Sequence, residues 1–249
     1  MKSPTYSPIN RFRKKRGRAL REQIESLVAL YGRDIRILDV GGRPDYWANV
    51  GLEGIERIDL VNIDEGELGR AYSGDAPEGL FQHRIGDACD LRDYADQSVD
   101  LVHSNSVIEH VGGWRTMQAM AEEMMRVGRA GWMQTPAWEF PVEPHHRMPF
   151  GHWFGKPAQA WSMSFSFDAR IRRYDRDRRR REVEKINLLS RGEVRDLFPG
   201  RPLKVERVVF AKSYVIHWMP EATAAVLPEP EPAAKDPSAG EPFLVHTAA

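Results

Sequence analysis

Arg36-Ile37-Leu38-Asp39-Val40-Gly41-Gly42 is the stretch on which the reading of this chain turns. An apolar run that ends in Asp and then Gly-Gly describes a buried strand turning sharply, where a glycine backbone approaches a ligand at least steric cost. Asn62-Ile63-Asp64 closes a second apolar run. Its acid is placed to accept hydrogen bonds from ribose hydroxyls. Gly86-Asp87-Ala88 follows a third strand-like run. Three acids at the carboxyl ends of three successive strands would line one crevice of an open sheet, which is where such sheets bind ligands.

The rest of the chain fits one α/β domain with modest extensions. Its 249 residues are 41% apolar, enough for one buried core and short of two large domains. Lys plus Arg number 36 and Asp plus Glu number 36, so no global field favours nucleic acid. Cys89 is the single cysteine, which excludes an internal disulfide and a multi-cysteine zinc site. No apolar stretch approaches the ~18 residues of a membrane span, and the basic start lacks the apolar segment of a signal peptide. The expectation is a soluble, cytoplasmic protein.

Residues 1–31 read as a basic leader, solvated over residues 11–18, followed by an amphipathic helix over 19–31 in which Leu20, Ile24, Leu27, Val28 and Tyr31 share one face. Gly32 is the expected stop. Strands are predicted at 35–40, 57–63, 82–85, 99–104, 131–134, 203–211 and 214–218. Gly112-Gly113 breaks the chain before a helix over 114–127 whose methionine stripe belongs to the core. Ser190 and Glu193 have capping-box spacing, and Pro199-Gly200 ends the short helix they open. Alternation of strands and helices ending in a hairpin across Lys212-Ser213 predicts a mostly parallel sheet with an antiparallel edge. The domain then runs over 32–219 with an insertion at about 136–189, and the Pro-, Ala- and Glu-rich residues 220–249 read as a disordered tail.

The three acidic motifs together with Val99-Asp100-Leu101-Val102-His103-Ser104-Asn105-Ser106-Val107-Ile108-Glu109-His110-Val111 resemble the class I S-adenosylmethionine-dependent methyltransferases, the broad type 11 group above all. The resemblance covers roughly residues 35–218. It implies a Rossmann-like α/β fold: a seven-stranded, mostly parallel sheet with an antiparallel last strand and helices on both faces. It also implies S-adenosyl-L-methionine as cofactor. Asp39 with Gly41 and Gly42 would meet its methionine part, Asp64 its ribose and Asp87 with Ala88 its adenine, with Ser104 on the fourth segment. The family's turn carries two further glycines at alternate positions, where this chain has Arg43 and Asp45, so the turn must run differently after Gly42. Pro44 suits the first position of a helix opening there, and Arg43 is a candidate for the cofactor carboxylate.

The same departure weighs against a dinucleotide. G-x-G-x-x-G counted from Gly41 meets Arg43 and Tyr46, which removes the close backbone approach a pyrophosphate needs. An NAD(P)-binding oxidoreductase and a non-catalytic binding module are therefore the rival readings. Methyl transfer is an in-line displacement that depends chiefly on positioning, and a base is needed where the acceptor keeps its proton. His145 is the first candidate, with His146 and His110 beside it, since imidazole titrates near neutrality. His145, His146 and His152 sit in an aromatic, proline-bracketed segment over 138–153 that also carries Glu143. Adjacent histidines on an extended segment face opposite ways, so no metal is expected there.

The aromatic residues of 150–167 and the arginine-rich 170–181 suit an acidic or lipid-linked acceptor at a membrane surface, although a lid and a solvated helix with internal ion pairs explain them more simply. The acceptor expected is a small molecule or a glycan or lipid precursor, methylated on oxygen. Neutral charge and the lack of a recognised module argue against nucleic acid.

Overall fold

The computed structural model describes residues 11–64, 72 and 74–220 of the chain. The first strand, β1 (Ile35–Val40), is buried along almost its whole length, which is why it is apolar at every position except half-buried Arg36 and buried Asp39. Side chains alternate across it. Ile35 and Ile37 face Leu20, Ile24 and Leu27 of helix α1 (Arg11–Tyr31), whereas Leu38 and Val40 face Met117, Met120 and Met124 of helix α3 (Trp114–Val127). The methionine stripe thus lies in the core, as its helical spacing predicts.

Around β1 stand β2 (Ile55–Asn62), β3 (Phe81–Ile85), β4 (Val99–Asn105), β5 (Gly128–Pro136), β8 (Leu203–Arg207) and β9 (Ala211–Trp218). They form one seven-stranded sheet in the order β3-β2-β1-β4-β5-β9-β8. β1 to β5 are parallel to one another, and β9 alone runs against the strands on either side. The antiparallel strand is therefore not at the edge. β9 inserts between β5 and β8, which leaves β8 outermost. The hairpin turns at residues 208–210 and not across Lys212-Ser213, which lie within β9.

Helices cover both faces, with α1 on one and α3 and α7 (Arg191–Leu197) on the other. The capping box is formed as predicted: the Ser190 hydroxyl accepts from the Glu193 backbone N–H and the Glu193 carboxylate accepts from the Ser190 N–H. Gly32 ends α1 at φ +65°, donating to the Val28 carbonyl. The start of α1 differs from expectation. Residues 11–18 form its first two turns and not a separate leader, with Arg13, Lys14, Lys15 and Arg18 exposed as expected; Lys and Arg are good helix formers and two positions are anchored. Arg16 pairs with Glu206 of β8 at 3.2 Å, and a Cβ on Gly17 would come within 2.7 Å of the Asn49 carbonyl oxygen.

The strand order reverses at β1, between β2 and β4. Such a switch point opens a crevice at the carboxyl ends of the strands. Among the described residues no helix is long and apolar enough to cross a membrane. The expected tail lies, beyond Pro220, outside the described residues.

Candidate active site

The turn after β1 is held by packing that admits only glycine. Gly41 has φ +69°, its N–H donates to the Val61 carbonyl at 2.7 Å, and a Cβ there would lie 2.5 Å from Val107 Cγ2. A Cβ on Gly42 would lie 2.0 Å from the Asp39 carboxyl carbon. That carboxylate is buried and already engaged. Its Oδ1 meets His103 Nδ1 at 2.6 Å and its Oδ2 accepts from Trp47 Nε1 at 2.8 Å. Parallel register explains the first contact, since Asp39 and His103 are partners across β1 and β4. Pro44 opens the short helix α2 (Pro44–Trp47), as the altered turn predicts, and that helix brings Trp47 to Asp39. Asp39 thus anchors the turn and also borders the crevice.

Two cavities flank the turn. One, of about 480 Å³, is lined by Arg13, Arg16, Asp39, Tyr46 and His103 among others. The second, of about 630 Å³, is lined by Asn62, Ile63, Asp87, Ala88, Val107 and His110 among others. Gly41, Arg43 and Ser106 line both, so the two spaces meet over the glycine turn. Of the sequence-predicted cofactor residues, Asp39, Gly41, Gly42, Asp87 and Ala88 lie on these walls. Asp64 and Ser104 do not. Asp64 is exposed, next to the wall residue Ile63, and Ser104 is buried in β4. Ile63 is 68% exposed, a large apolar side chain turned to the second cavity from the end of β2.

Three contributors escaped the sequence reading. His103 was taken only as strand, although a His buried beside an Asp needs a partner. Asn62 ties β2 to the turn by donating from Nδ2 to the Gly42 carbonyl at 2.9 Å; a polar residue at the last strand position was its only signal. Thr135 supports Glu109, as follows.

The fourth segment and the proline-bracketed segment meet beyond His110. After β4 a single 3-10 turn, Ile108–His110, sets Glu109 inward and His110 on the wall of the second cavity. Strands β6 (Val142–Glu143) and β7 (Met148–Pro149) form a two-stranded ribbon whose loop carries His145 and His146. His145 Nε2 lies 3.2 Å from His110 Nε2 and 3.7 Å from Glu109 Oε1. Its Nδ1 contacts Glu143 Oε1 at 2.6 Å. Glu143 also accepts the backbone N–H groups of His145 and His146, which folds the loop back on the ribbon. His146 is separate from the array: it is buried, and its ring approaches Glu143 at 3.4 Å.

Burial works to raise the Glu143 carboxyl, but the hydrogen bonds from His145 and His146 outweigh it and hold the group below the usual carboxylate range. Burial likewise works to lower the His145 imidazole, and Glu143 overcomes it, so the net shift is upward. His110 is shifted downward, by desolvation first and then by the neighbouring His145. Glu109 is fully buried, and desolvation pushes its carboxyl up to about 7 against the Thr135 hydroxyl, which donates to Oε2 at 3.0 Å.

The insertion over 136–189 shows the internal ion pairs expected of its arginine-rich helix, while Phe150, Phe154, Trp161, Phe165 and Phe167 are exposed. Helix α4 (Lys156–Ser162), the short α5 (Ala169–Arg172) and α6 (Arg176–Glu184) pack over the ribbon. In α6 Arg181 pairs with Asp177 and Arg180 with Glu184, both four residues apart. His152 lines a different cavity and contacts the Trp138 carbonyl oxygen through Nε2 at 2.9 Å.

Residues 38–132 match a family model described as a methyltransferase domain. An uncharacterized methyltransferase of Mycobacteroides abscessus is 36% identical over 135 residues, covering 51% of this chain and 49% of that protein. One of Mycolicibacterium gilvum is 33% identical over 127 residues, 49% of this chain and 47% of that protein. The matched region thus spans about half the length of these relatives. Among solved structures, an S-adenosylmethionine dependent methyltransferase of Mesorhizobium loti superposes with a TM-score of 0.49 at 12% identity, over 78% of this chain and 95% of that one.

Proposed function

We propose that this chain, which carries a methyltransferase domain of the matched family, transfers a methyl group from S-adenosyl-L-methionine to an oxygen of a small-molecule, glycan-precursor or lipid-precursor acceptor. One observation carries the reading. A single cavity at the switch point of the sheet is bounded by Ile63, Asp87 and Ala88 on one side and by His110 on the other. Cofactor recognition and acceptor chemistry therefore share one space.

The walls fit the cofactor. Ile63 and Val107 offer apolar flanks for a purine, Asp87 an acceptor for its amino group, and Arg43, where the cavities meet, a cation for the methionine carboxylate. Asp64, exposed just off the wall beside Ile63, would accept from ribose hydroxyls at the rim. Tyr46 stands where a dinucleotide fingerprint needs its last glycine, and it is fixed in α2 with its ring 4.8 Å from that of His103. That packing supports a phosphate-free ligand over a pyrophosphate. S-adenosyl-L-methionine supplies an electrophilic methyl group on a sulfonium, so the chain's task is chiefly orientation.

On the acceptor side, His110 faces the cavity with His145 and Glu143 in line behind it. A hydrogen bond from His145 Nδ1–H to Glu143 leaves its Nε2 lone pair directed at His110 and Glu109. An acceptor hydroxyl held against this pair would lose its proton there as the carbon–oxygen bond forms. Replacing Asp64 by alanine should weaken S-adenosylhomocysteine binding about tenfold, the loss of roughly 1.4 kcal/mol expected for a hydrogen-bonded charged group. Unchanged affinity in calorimetry would remove Asp64 from the ribose site.

A further inference from the structure

We propose that Glu109, His110 and His145 form a binding site for one divalent transition-metal ion of the zinc class, with Glu143 orienting His145 from behind. The sequence could not assemble this set. Within the proline-bracketed segment alone the adjacent histidines diverge, and the missing ligands come from the turn after β4.

The geometry is close to that of a three-ligand metal site. The donor atoms of Glu109, His110 and His145 all lie within 4.8 Å of one another. The two imidazole nitrogens are 3.2 Å apart, and His145 Nε2 is 3.7 Å from Glu109 Oε1. Ligands about 2.0–2.1 Å from a tetrahedral zinc ion stand about 3.4 Å from each other. Two edges of the triangle are therefore close to size, and the third closes with a shift of about 1–1.5 Å, within reach of the exposed His110 side chain.

Two further observations point to a ligand. Glu109 is fully buried, yet its Oε1 accepts no hydrogen bond among the described residues, a costly state for a carboxylate oxygen. Glu143 supplies the contact that metal-binding histidines need at their other nitrogen: Nδ1 of His145 meets its carboxylate at 2.6 Å, which leaves Nε2 to ligate. Charge also balances, since the carboxylates of Glu109 and Glu143 match a divalent ion and both imidazoles bind it neutral. Three protein ligands leave a fourth position open, as in catalytic rather than structural zinc sites.

What the ion would do rests on the proposed function; that it binds does not. Of the three ligands His110 lines the cofactor cavity, so an acceptor oxygen reaching the ion from that cavity would complete the shell. Coordination lowers the pKa of a bound hydroxyl and fixes its lone pair toward the incoming methyl group. The imidazole lone pairs that receive a proton in the free array are the ones that hold the ion. In the loaded protein the ion therefore takes over activation of the acceptor.

The test is titration of the full, tag-free chain, dialysed against chelator, with Co²⁺ alone, followed by visible absorption and displaced with Zn²⁺. The expected result is saturation at one ion per chain with d–d bands of low-coordinate Co²⁺. His110→Ala, at an exposed position that leaves the core intact, should weaken binding at least tenfold, and Glu143→Gln about 10–100-fold. His217→Asn, on β9 away from the cluster, should leave binding unchanged. Absence of one-to-one binding, or wild-type affinity in His110→Ala, overturns the site. Calorimetry with S-adenosylhomocysteine on the same samples separates the two proposals. Cofactor binding without Co²⁺ binding removes the ion and leaves the methyl transfer reading standing, and the converse removes that reading alone.

Discussion

Replacing Gly42 by alanine tests how the cofactor turn is held. The new Cβ would sit 2.0 Å from Asp39 Cγ and Oδ2 and 2.5 Å from Oδ1. Such contacts cost little where the neighbour is the free end of a flexible side chain. Here the carboxylate is pinned, with Oδ1 at 2.6 Å from His103 and Oδ2 at 2.8 Å from Trp47. Overpacking of this kind costs ~1–3 kcal/mol. A carboxylate that rotates away gives up a buried hydrogen bond, ~1–3 kcal/mol more. The sum, about 2–6 kcal/mol, lowers Tm by roughly 4–24 °C at the ~2–4 °C per kcal/mol typical of a domain this size. Gly192→Ala is the matched control. Its Cβ would find nothing closer than 3.9 Å, in a helix where alanine is favoured, so Tm should hold or rise, by up to ~1 kcal/mol of stability. Differential scanning calorimetry reads both variants. A Gly42→Ala protein melting within about 2 °C of the parent would refute the claim that the Asp39 network is rigid.

Two further outcomes follow from named contacts. His145→Ala should lower kcat about 10²–10⁴-fold with S-adenosylhomocysteine affinity unchanged, because His145 lies behind His110 and outside the cofactor walls; a full-rate enzyme would exclude the array from the chemistry. Ser190→Ala removes the side-chain half of the capping box and should cost about 1 kcal/mol in a denaturant melt, with an unchanged midpoint counting against the cap.

Much of the fold was legible because it depends on local pattern. The apolar run of β1, the helical stripe of α3 and the Ser190–Glu193 box each announce themselves within a few residues, and each occurs where the spacing placed it. Non-local pairing was harder. Nothing in β9 states that it inserts between β5 and β8, so an edge position was the natural but incorrect inference. The basic run 11–18 was misread for a related reason: its partners, Glu206 and the Asn49 carbonyl, are distant in sequence.

The site divides in the same way. The glycine turn, Asp87 and Ala88 could be read from motifs, and they lie on the cavity walls. The acceptor-side array could be read only in part. His145, His110 and Glu143 stood out by residue type, but their alignment joins a turn after β4 to a ribbon loop 35 residues away. Their joint geometry with buried Glu109 is a property of the folded chain alone. Asp39–His103 belongs to the same class, since it needs the β1–β4 register before the two residues become partners.

Whether the crevice holds a methyl donor or a dinucleotide is decided by thermal denaturation with S-adenosylhomocysteine and, separately, with NAD(P)H. A ligand that binds the native state at 100 times its Kd adds about 2.7 kcal/mol of stability, here a rise in Tm of roughly 5–11 °C. A methyl-donor site gives that rise with S-adenosylhomocysteine and none with NAD(P)H. A rise with NAD(P)H and none with S-adenosylhomocysteine would instead identify a dinucleotide site and rule out methyl transfer.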